Sequence, residues 1–281
     1  MAGASGSLGR HVIREALRRG HTVRALIHRS PLPEEFTDVV AKVHRADALD
    51  RPQLAGVCDG VGVVFSCLGA SVMPSFGKGR RSYRQVDTPA NCNLIDEALR
   101  AGVERFVYVS VAGRDTFGHL EYVRAHEDVV AALDESGLDY AVVRPTGFFS
   151  AFAEFLRMAA KGPVPLIGNG TAETNPIHDA DLASVCVDAM EGQARHHEVG
   201  GPEIVTRRGI VERAFAALHK PVRLIPMPAT IVRAMALLMR PINPRVSHFS
   251  AFVAAVSMND LVAPPHGSRI LSDYFAELSP P

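Results

Sequence analysis

The chain has 281 residues, 47% of them hydrophobic, with equal acidic and basic counts and no formal net charge. That length allows one large domain, or a domain with a small companion, and the charge balance argues against a nucleic-acid surface, which needs a basic excess. Cys58, Cys67, Cys92 and Cys186 lie far apart; a metal site is not expected, and reduced thiols with no secretory leader point to a cytoplasmic protein.

A glycine ladder opens the chain, with Gly3, Gly6 and Gly9 three apart and an amphipathic run following to residue 19. A glycine-rich turn feeding a helix can hold a pyrophosphate: the backbone approaches closely where there is no Cβ, and the helix N-terminus supplies free N–H groups. The same spacing also occurs in plain glycine-rich turns, and only two residues precede it, where the signature needs a buried strand.

Strand-like and helix-like segments then alternate. Residues 21–28 (HTVRALIH), 41–45, 61–68 (VGVVFSCL), 105–110 (RFVYVS) and 140–144 (YAVVR) read as strands. Continuous apolar runs of this kind are expected where both faces of a sheet are covered. Residues 9–19, 83–101 and 121–136 read as helices, each followed by Gly, the residue a left-handed cap favours. The order implies an α/β fold with a doubly wound parallel sheet of Rossmann type, its first strand largely missing.

The pattern changes after Pro145. Asp179 is the expected N-cap of a helix over 180–190, residues 208–218 read as helix and 223–225 as a short strand. The apolar stretch 228–239 contains Arg233 and is too short to span a bilayer, which takes ~20 apolar residues. It reads as a helix packed on the protein, or as a membrane-surface element. The expected division is a dinucleotide-binding domain over 1–147 and a smaller, mostly helical substrate region over 148–281. A late strand near 198–204 could return to the main sheet.

Beyond the second strand such folds read the adenosine ribose, an acid pairing with a free 2′-hydroxyl and a base with a 2′-phosphate. Here Arg29 follows the strand with no acid between it and Glu34, and Arg10 follows the last glycine of the ladder. Both cations favour NADP(H) over NAD(H), since a guanidinium binds phosphate bidentately. Asp47 could accept from the adenine amino group or cap the following helix. Phe148, Phe149, Phe152 and Phe155 could wall an apolar pocket or serve as core.

The stretches GASGSLGR (3–10), VVFSCLG (63–69), VDTPANCNLIDEALRAGVERFVYVS (86–110), VRPTGFF (143–149), NPIHDADLA (175–183) and GGPEIVT (200–206) resemble those of atypical short-chain dehydrogenase/reductases. The likeness is to the NmrA-like group that also includes divinyl chlorophyllide 8-vinyl-reductases. It implies that Gly3, Ser5, Gly6, Ser7, Leu8, Gly9 and Arg10 line the pyrophosphate and that Asp47 and Ala48 meet the adenine. It also implies that Cys67, Leu68 and Gly69 run along the cofactor, with Ser110, Pro145, Thr146 and Phe148 near the nicotinamide.

Two departures stand out. Relatives begin with a strand before the glycine loop, so the native product is expected to start several residues upstream. Short-chain dehydrogenases also commonly use Tyr-x-x-x-Lys, the cation lowering the phenol pKa, whereas this chain reads Tyr122-x-x-x-His126. Tyr122 and His126 share a helix face, and with Ser110 they could manage a proton; they could equally form an ordinary partly buried stripe with Val130 and Leu133. The resulting expectation is an NAD(P)H-dependent oxidoreductase moving hydride to or from an apolar carbonyl, enone or quinone. The alternative is a redox sensor that binds NADP(H) without turnover. A small-molecule substrate, no nucleic acid, no membrane span, and a monomer or homodimer complete the expectation.

Overall fold

The computed structural model describes residues 1–69 and 81–279. Helix α1 (Ser7–Arg18) is followed by strands β1 (Arg24–Ile27) and β2 (Lys42–Arg45), the short α2 (Arg51–Leu54), β3 (Val63–Ser66) and α3 (Asp87–Arg100). Then come β4 (Arg105–Val109), the short α4 (Arg114–Phe117), α5 (Glu121–Ser136) and β5 (Asp139–Pro145). The second half holds α6 (Phe149–Lys161), β6 (Val164–Ile167), β7 (Glu173–Thr174), α7 (Asp179–Glu191), β8 (His196–Val199) and β9 (Val205–Thr206). It ends with α8 (Arg207–Ala217), β10 (Leu224–Met227), α9 (Ala229–Met239), α10 (Pro244–Val256) and α11 (Leu271–Leu278).

The main sheet is parallel throughout. β1 pairs with β2, while β3, β4, β5 and β8 follow one another as neighbours. Met1 and Ala2 join the two groups: the Ala2 N–H donates to Phe65 O at 2.8 Å, and Met1 O accepts from the Leu26 N–H at 2.8 Å. The central strand position is thus held by two residues. Beside them, between β1 and β3, lies a cavity of about 350 Å³ walled by Val12, Ile13 and Ala16 on one side and Val57, Cys58 and Leu94 on the other. The Met1 amine donates to Arg24 O at 2.8 Å, as a ladder amide would, and burial pushes its pKa down to about 6.

Alternation along each strand divides the core in two. Val107, Val109 and Val143 face α1 and α7, where they meet Val12, Ile13, Leu182 and Val185. Phe106, Tyr108, Tyr140 and Val142 face α3 and α5, where they meet Leu94, Val129 and Leu133. This two-sided covering is what the continuous apolar runs require. Helix α5 ends at Gly137, whose φ of 77° is the left-handed cap.

Some boundaries differ from the sequence expectation. Helix α3 starts at Asp87, because Pro89 has no N–H to bond back to residue 85 and residues 83–86 make a turn instead. The N-cap of α7 is His178, whose Nδ1 accepts from the Ala180 N–H at 3.1 Å, so Asp179 is the first helical residue and its carboxylate is used elsewhere. Phe149 is 1% exposed and packs with Phe152 and Phe155 in the core between α6, α8 and α11, rather than walling a pocket. Helix α9 buries only Val232 and Ala236.

The glycine ladder is a packing requirement as well as a loop. Gly3 has φ 83°, and a Cβ there would lie 2.7 Å from Cys67 Sγ and 2.9 Å from Cys67 O. A Cβ on Gly9 would overlap the Gly3 carbonyl oxygen, whereas one on Gly6 would lie 3.3 Å from that atom. Gly9→Ala is therefore expected to destabilise the fold by about 2 kcal/mol or more through overpacking, and Gly6→Ala by much less. Urea unfolding of both variants checks this; equal midpoints would contradict it.

Candidate functional site

The carboxyl ends of parallel strands, with the helix start after the first of them, form the edge where ligands gather in such sheets. Here that edge carries the glycine loop, Cys67–Gly69 after β3, Ser110 after β4, and Pro145–Thr146 at the end of β5. Helix α1 starts without a side-chain cap at Gly6. The Gly6 amide is used by Gly3 O at 3.0 Å and the Arg10 amide by Gly6 O at 3.1 Å. The amides of Ser7, Leu8 and Gly9 make no hydrogen bond to any described residue. Three free N–H groups at a helix start, beside a glycine with room in front of it, suit an anionic group.

The Ser7 hydroxyl is committed to the protein. It donates to Asp179 Oδ1 at 2.9 Å, and that carboxylate also accepts from the Ser150 hydroxyl at 2.6 Å and the Ser150 N–H at 3.1 Å. Asp179 is 2% exposed and ties together the starts of α1, α6 and α7. His178 beside it is ringed by His11, Phe149 and Tyr274, with centroids 5.5 to 5.8 Å away. A buried acid in this bridging role was not legible in sequence, where Asp179 reads as the N-cap of the helix that follows.

At the far end of the edge, Arg29 is exposed and Arg10 half-buried, and neither makes an ion pair with a described residue. Arg45 at the end of β2 joins them: its guanidinium donates to His28 O at 2.6 Å. Asp47 Oδ1 accepts from the Leu49 N–H at 3.0 Å, closing a turn rather than capping α2, while its other oxygen lies 3.6 Å from His28 Nε2. Ala48 is buried, and its carbonyl accepts from Asn93 at 2.9 Å.

Along the strand ends, Cys67 lies under Gly3 and burial pushes its thiol up to about 12, so it is not nucleophilic. The Leu68 N–H donates to Ser66 Oγ at 3.3 Å, and Gly69 is exposed. Asn91 clips this segment to α3, accepting from Ser66 Oγ at 2.6 Å and donating to Leu68 O at 3.2 Å. The Thr146 hydroxyl is spent on Asn175 O at 2.7 Å, Pro145 is buried in the β5–β8 ladder, and Phe148 is the N-cap of α6, packed on the core.

The two-residue period of β4 points both Tyr108 and Ser110 at α5. The Tyr108 hydroxyl and His126 Nδ1 share a hydrogen bond at 2.7 Å, which leaves Nε2 as the ring nitrogen not used by Tyr108. The Ser110 hydroxyl donates to Glu127 Oε1 at 3.4 Å, and Glu127 takes three further bonds from the buried Arg144 at 3.2 to 3.3 Å. His126 is thus held from behind by a phenol and is not free to pair with Tyr122 as a cation. Burial pushes its pKa down to about 4. Tyr122 stands among Tyr83 and Phe252, both 4.8 Å away, and His126 at 5.1 Å, and burial pushes its phenol well above the usual range. Phe249 and Phe252 come from α10, which roofs this corner. Both groups are therefore neutral at pH 7, and Tyr122 is a hydrogen-bond donor.

The sign of the His126 shift sets a pH dependence. The unfolded chain takes up a proton near pH 6.5 and the folded chain only near 4. Stability is therefore lost as pH falls through that window, by up to about 3 kcal/mol, and is unaffected by this group above it. His126→Gln is expected to flatten this part of the curve in urea unfolding followed from pH 7 to 4; a curve unchanged by the substitution would contradict it.

A family described as NAD(P)H-binding matches residues 3–193. The divinyl chlorophyllide a 8-vinyl-reductase of Oryza sativa subsp. indica is 28% identical over 83% of this chain and 62% of its own length. The photosystem II assembly factor Ycf39 of Synechocystis is 23% identical over 68% of this chain and 57% of its own. In both cases the chain spans less than two thirds of the relative. An NADPH-dependent quinone oxidoreductase from Escherichia coli, solved with NADPH, superposes with a TM-score of 0.73 at 19% identity, covering 99% of this chain and 98% of that one. The UDP-glucose 4-epimerase of Thermus thermophilus with NAD gives 0.68 at 19% identity, covering 89% and 98%. These likenesses show the architecture, a Rossmann-like NAD(P)-binding fold, and the family match spans most of the chain and the whole glycine-loop edge. The chain belongs to the NAD(P)H-binding family.

Proposed function

We propose that this chain is an NADP(H)-dependent oxidoreductase that moves hydride to or from a small or medium apolar carbonyl, enone or quinone. The observation that carries the reading is the set of three unpaired amides at Ser7, Leu8 and Gly9, at the edge where Tyr122 and Ser110 also lie. These amides would hold the pyrophosphate, and Gly6 leaves space for it. Arg29 and Arg45, with Arg10, would meet a 2′-phosphate. The nicotinamide supplies the hydride when bound. His126, held through Nδ1 by Tyr108, would meet a ribose hydroxyl through Nε2. Tyr122 stays protonated across physiological pH and would donate a hydrogen bond, then its proton, to the substrate oxygen, a role suited to the reductive direction. The aromatic residues of α10 keep water from that oxygen. The relatives named a vinyl-reductase and a quinone oxidoreductase are in keeping with an unsaturated, largely apolar substrate.

A second reading, a sensor that binds NADP(H) without turnover, is favoured by one observation: no cation among the described residues lowers the pKa of Tyr122, since His126 is neutral and tied to Tyr108. NADPH oxidation against a panel of quinones, enones and aldehydes separates the two. The reductase reading expects turnover with at least one class and a loss of about tenfold or more in kcat for Tyr122→Phe. NADPH binding with no turnover, or turnover indifferent to Tyr122→Phe, would overturn it or its proton donor respectively.

Cofactor choice has its own test. A guanidinium–phosphate hydrogen bond contributes about 1.5–3 kcal/mol. Removing both cations in Arg29→Ala/Arg45→Ala is therefore expected to weaken NADPH by about tenfold or more and to leave NADH nearly unchanged, read by cofactor fluorescence. Equal losses for both cofactors would contradict the assignment.

A further inference from the structure

We propose that the α9–α10 hairpin docks on an anionic lipid surface, with the outer face of α9 lying in the plane of the membrane. Helix α9 has two apolar faces. Val232 and Ala236 turn inward and are buried, and α10 is its main packing partner. On the opposite side Ile231, Met235 and Leu238 are 50, 55 and 74% exposed, and Leu237 and Ile242 are 67 and 65% exposed. Residues 231, 235 and 238 follow the helical repeat, so they form one stripe rather than scattered positions, and Ile242 is exposed in the turn that follows. Isolated exposed apolar residues are ordinary on a protein surface, but a contiguous stripe marks a contact.

Charge selects the occupant. Between Glu212 and Asp260 there is no acidic residue, while Arg213, Lys220, Arg223, Arg233, Arg240 and Arg245 all fall there, in a chain with no net charge. Lys220, Arg223, Arg233 and Arg240 are exposed, and none makes an ion pair with a described residue. Arg233 and Arg240 lie together along one edge of the exposed face of α9, next to Leu237. An apolar stripe edged by unpaired arginines is the pattern of an interfacial helix on anionic lipid. A second copy of this chain suits it poorly, because a two-fold contact would bring the arginines of both copies together. None of the described helices is long and apolar enough to cross a membrane, which accords with a helix lying flat.

The inner side of the same hairpin carries Phe249 and Phe252 against Tyr122. Docking would thus set the Tyr122 corner beside the bilayer, where an apolar substrate partitions. That last step rests on the reductase reading; the docking itself does not.

Flotation of the purified chain with vesicles of phosphatidylcholine alone, or mixed with phosphatidylglycerol, tests it. The chain is expected to float with the mixed vesicles at low salt, to be released by high salt, and to float little with phosphatidylcholine. Arg233→Glu/Arg240→Glu is expected to weaken binding by about tenfold or more, and Met235→Glu/Leu238→Glu to abolish it. All four positions are exposed, so unchanged thermal unfolding and NADPH binding would show that the variants remain folded. No flotation of the unmodified chain, or flotation untouched by either double substitution, would overturn the proposal. So would a stable dimer in sedimentation velocity that the same substitutions dissolve, which would assign the face to self-association.

Discussion

Backbone contact between Gly3 and Gly9 sets the geometry of everything at the functional edge. The chain leaves the sheet at Ala2, turns at Gly3 with a left-handed φ against Cys67, and passes so close to α1 that Gly9 cannot carry a side chain. Cys67 closes the turn from below. This contact fixes the start of α1 over the strand ends, where the amides of Ser7, Leu8 and Gly9 have no hydrogen-bond partner among the described residues. The second half of the chain then locks onto that helix. Asp179 reaches Ser7, and Arg19 near the other end of α1 pairs with Asp188 and Glu191 of α7. A loop conformation available only to glycine at Gly3 thus positions the amides proposed to hold an anion.

The parts of this arrangement that depend on backbone geometry were legible in the sequence. The glycine spacing, the cap at Gly137 and the apolar runs of β3, β4 and β5 each have one physical cause, and each gave its element. Side-chain pairing was harder. Tyr108 and Ser110 sit two apart on β4 and so share a face, but pairing Tyr108 with His126 requires the register of α5 over the sheet, which no local pattern carries. Asp179 is the better cap by residue type, but Ser7 and Ser150 engage its carboxylate and the cap falls to His178. Helix α9 reads as apolar almost all round, and composition alone does not say that only Val232 and Ala236 find a partner. The two residues at the centre of the sheet occupy the ladder position expected of a strand before the glycine loop. The cavity next to them lies where a continuing strand would run.

The chemistry of the Tyr122 corner follows from burial more than from charge. Desolvation raises the phenol and lowers the imidazole, and the arginine nearest in the core, Arg144, is already matched by Glu127. Such a site orients and protects rather than activating a strong acid or base. The roof over it belongs to a hairpin whose outer surface is apolar and cationic. One structural unit therefore joins the candidate site to a surface able to bind lipid.

The central claim is that the unpaired amides at the start of α1 bind the linked phosphates of a nicotinamide dinucleotide. The most direct measurement is calorimetric titration of NADPH into the unmodified chain and into Gly6→Ala. A Cβ at Gly6 meets only the Gly3 carbonyl oxygen at 3.3 Å but would stand in the phosphate's approach. The account expects heat for the unmodified chain and its loss, or weakening by about tenfold or more, in a variant that unfolds at nearly the same temperature. No heat with the unmodified chain, or equal affinity in the variant, would contradict it.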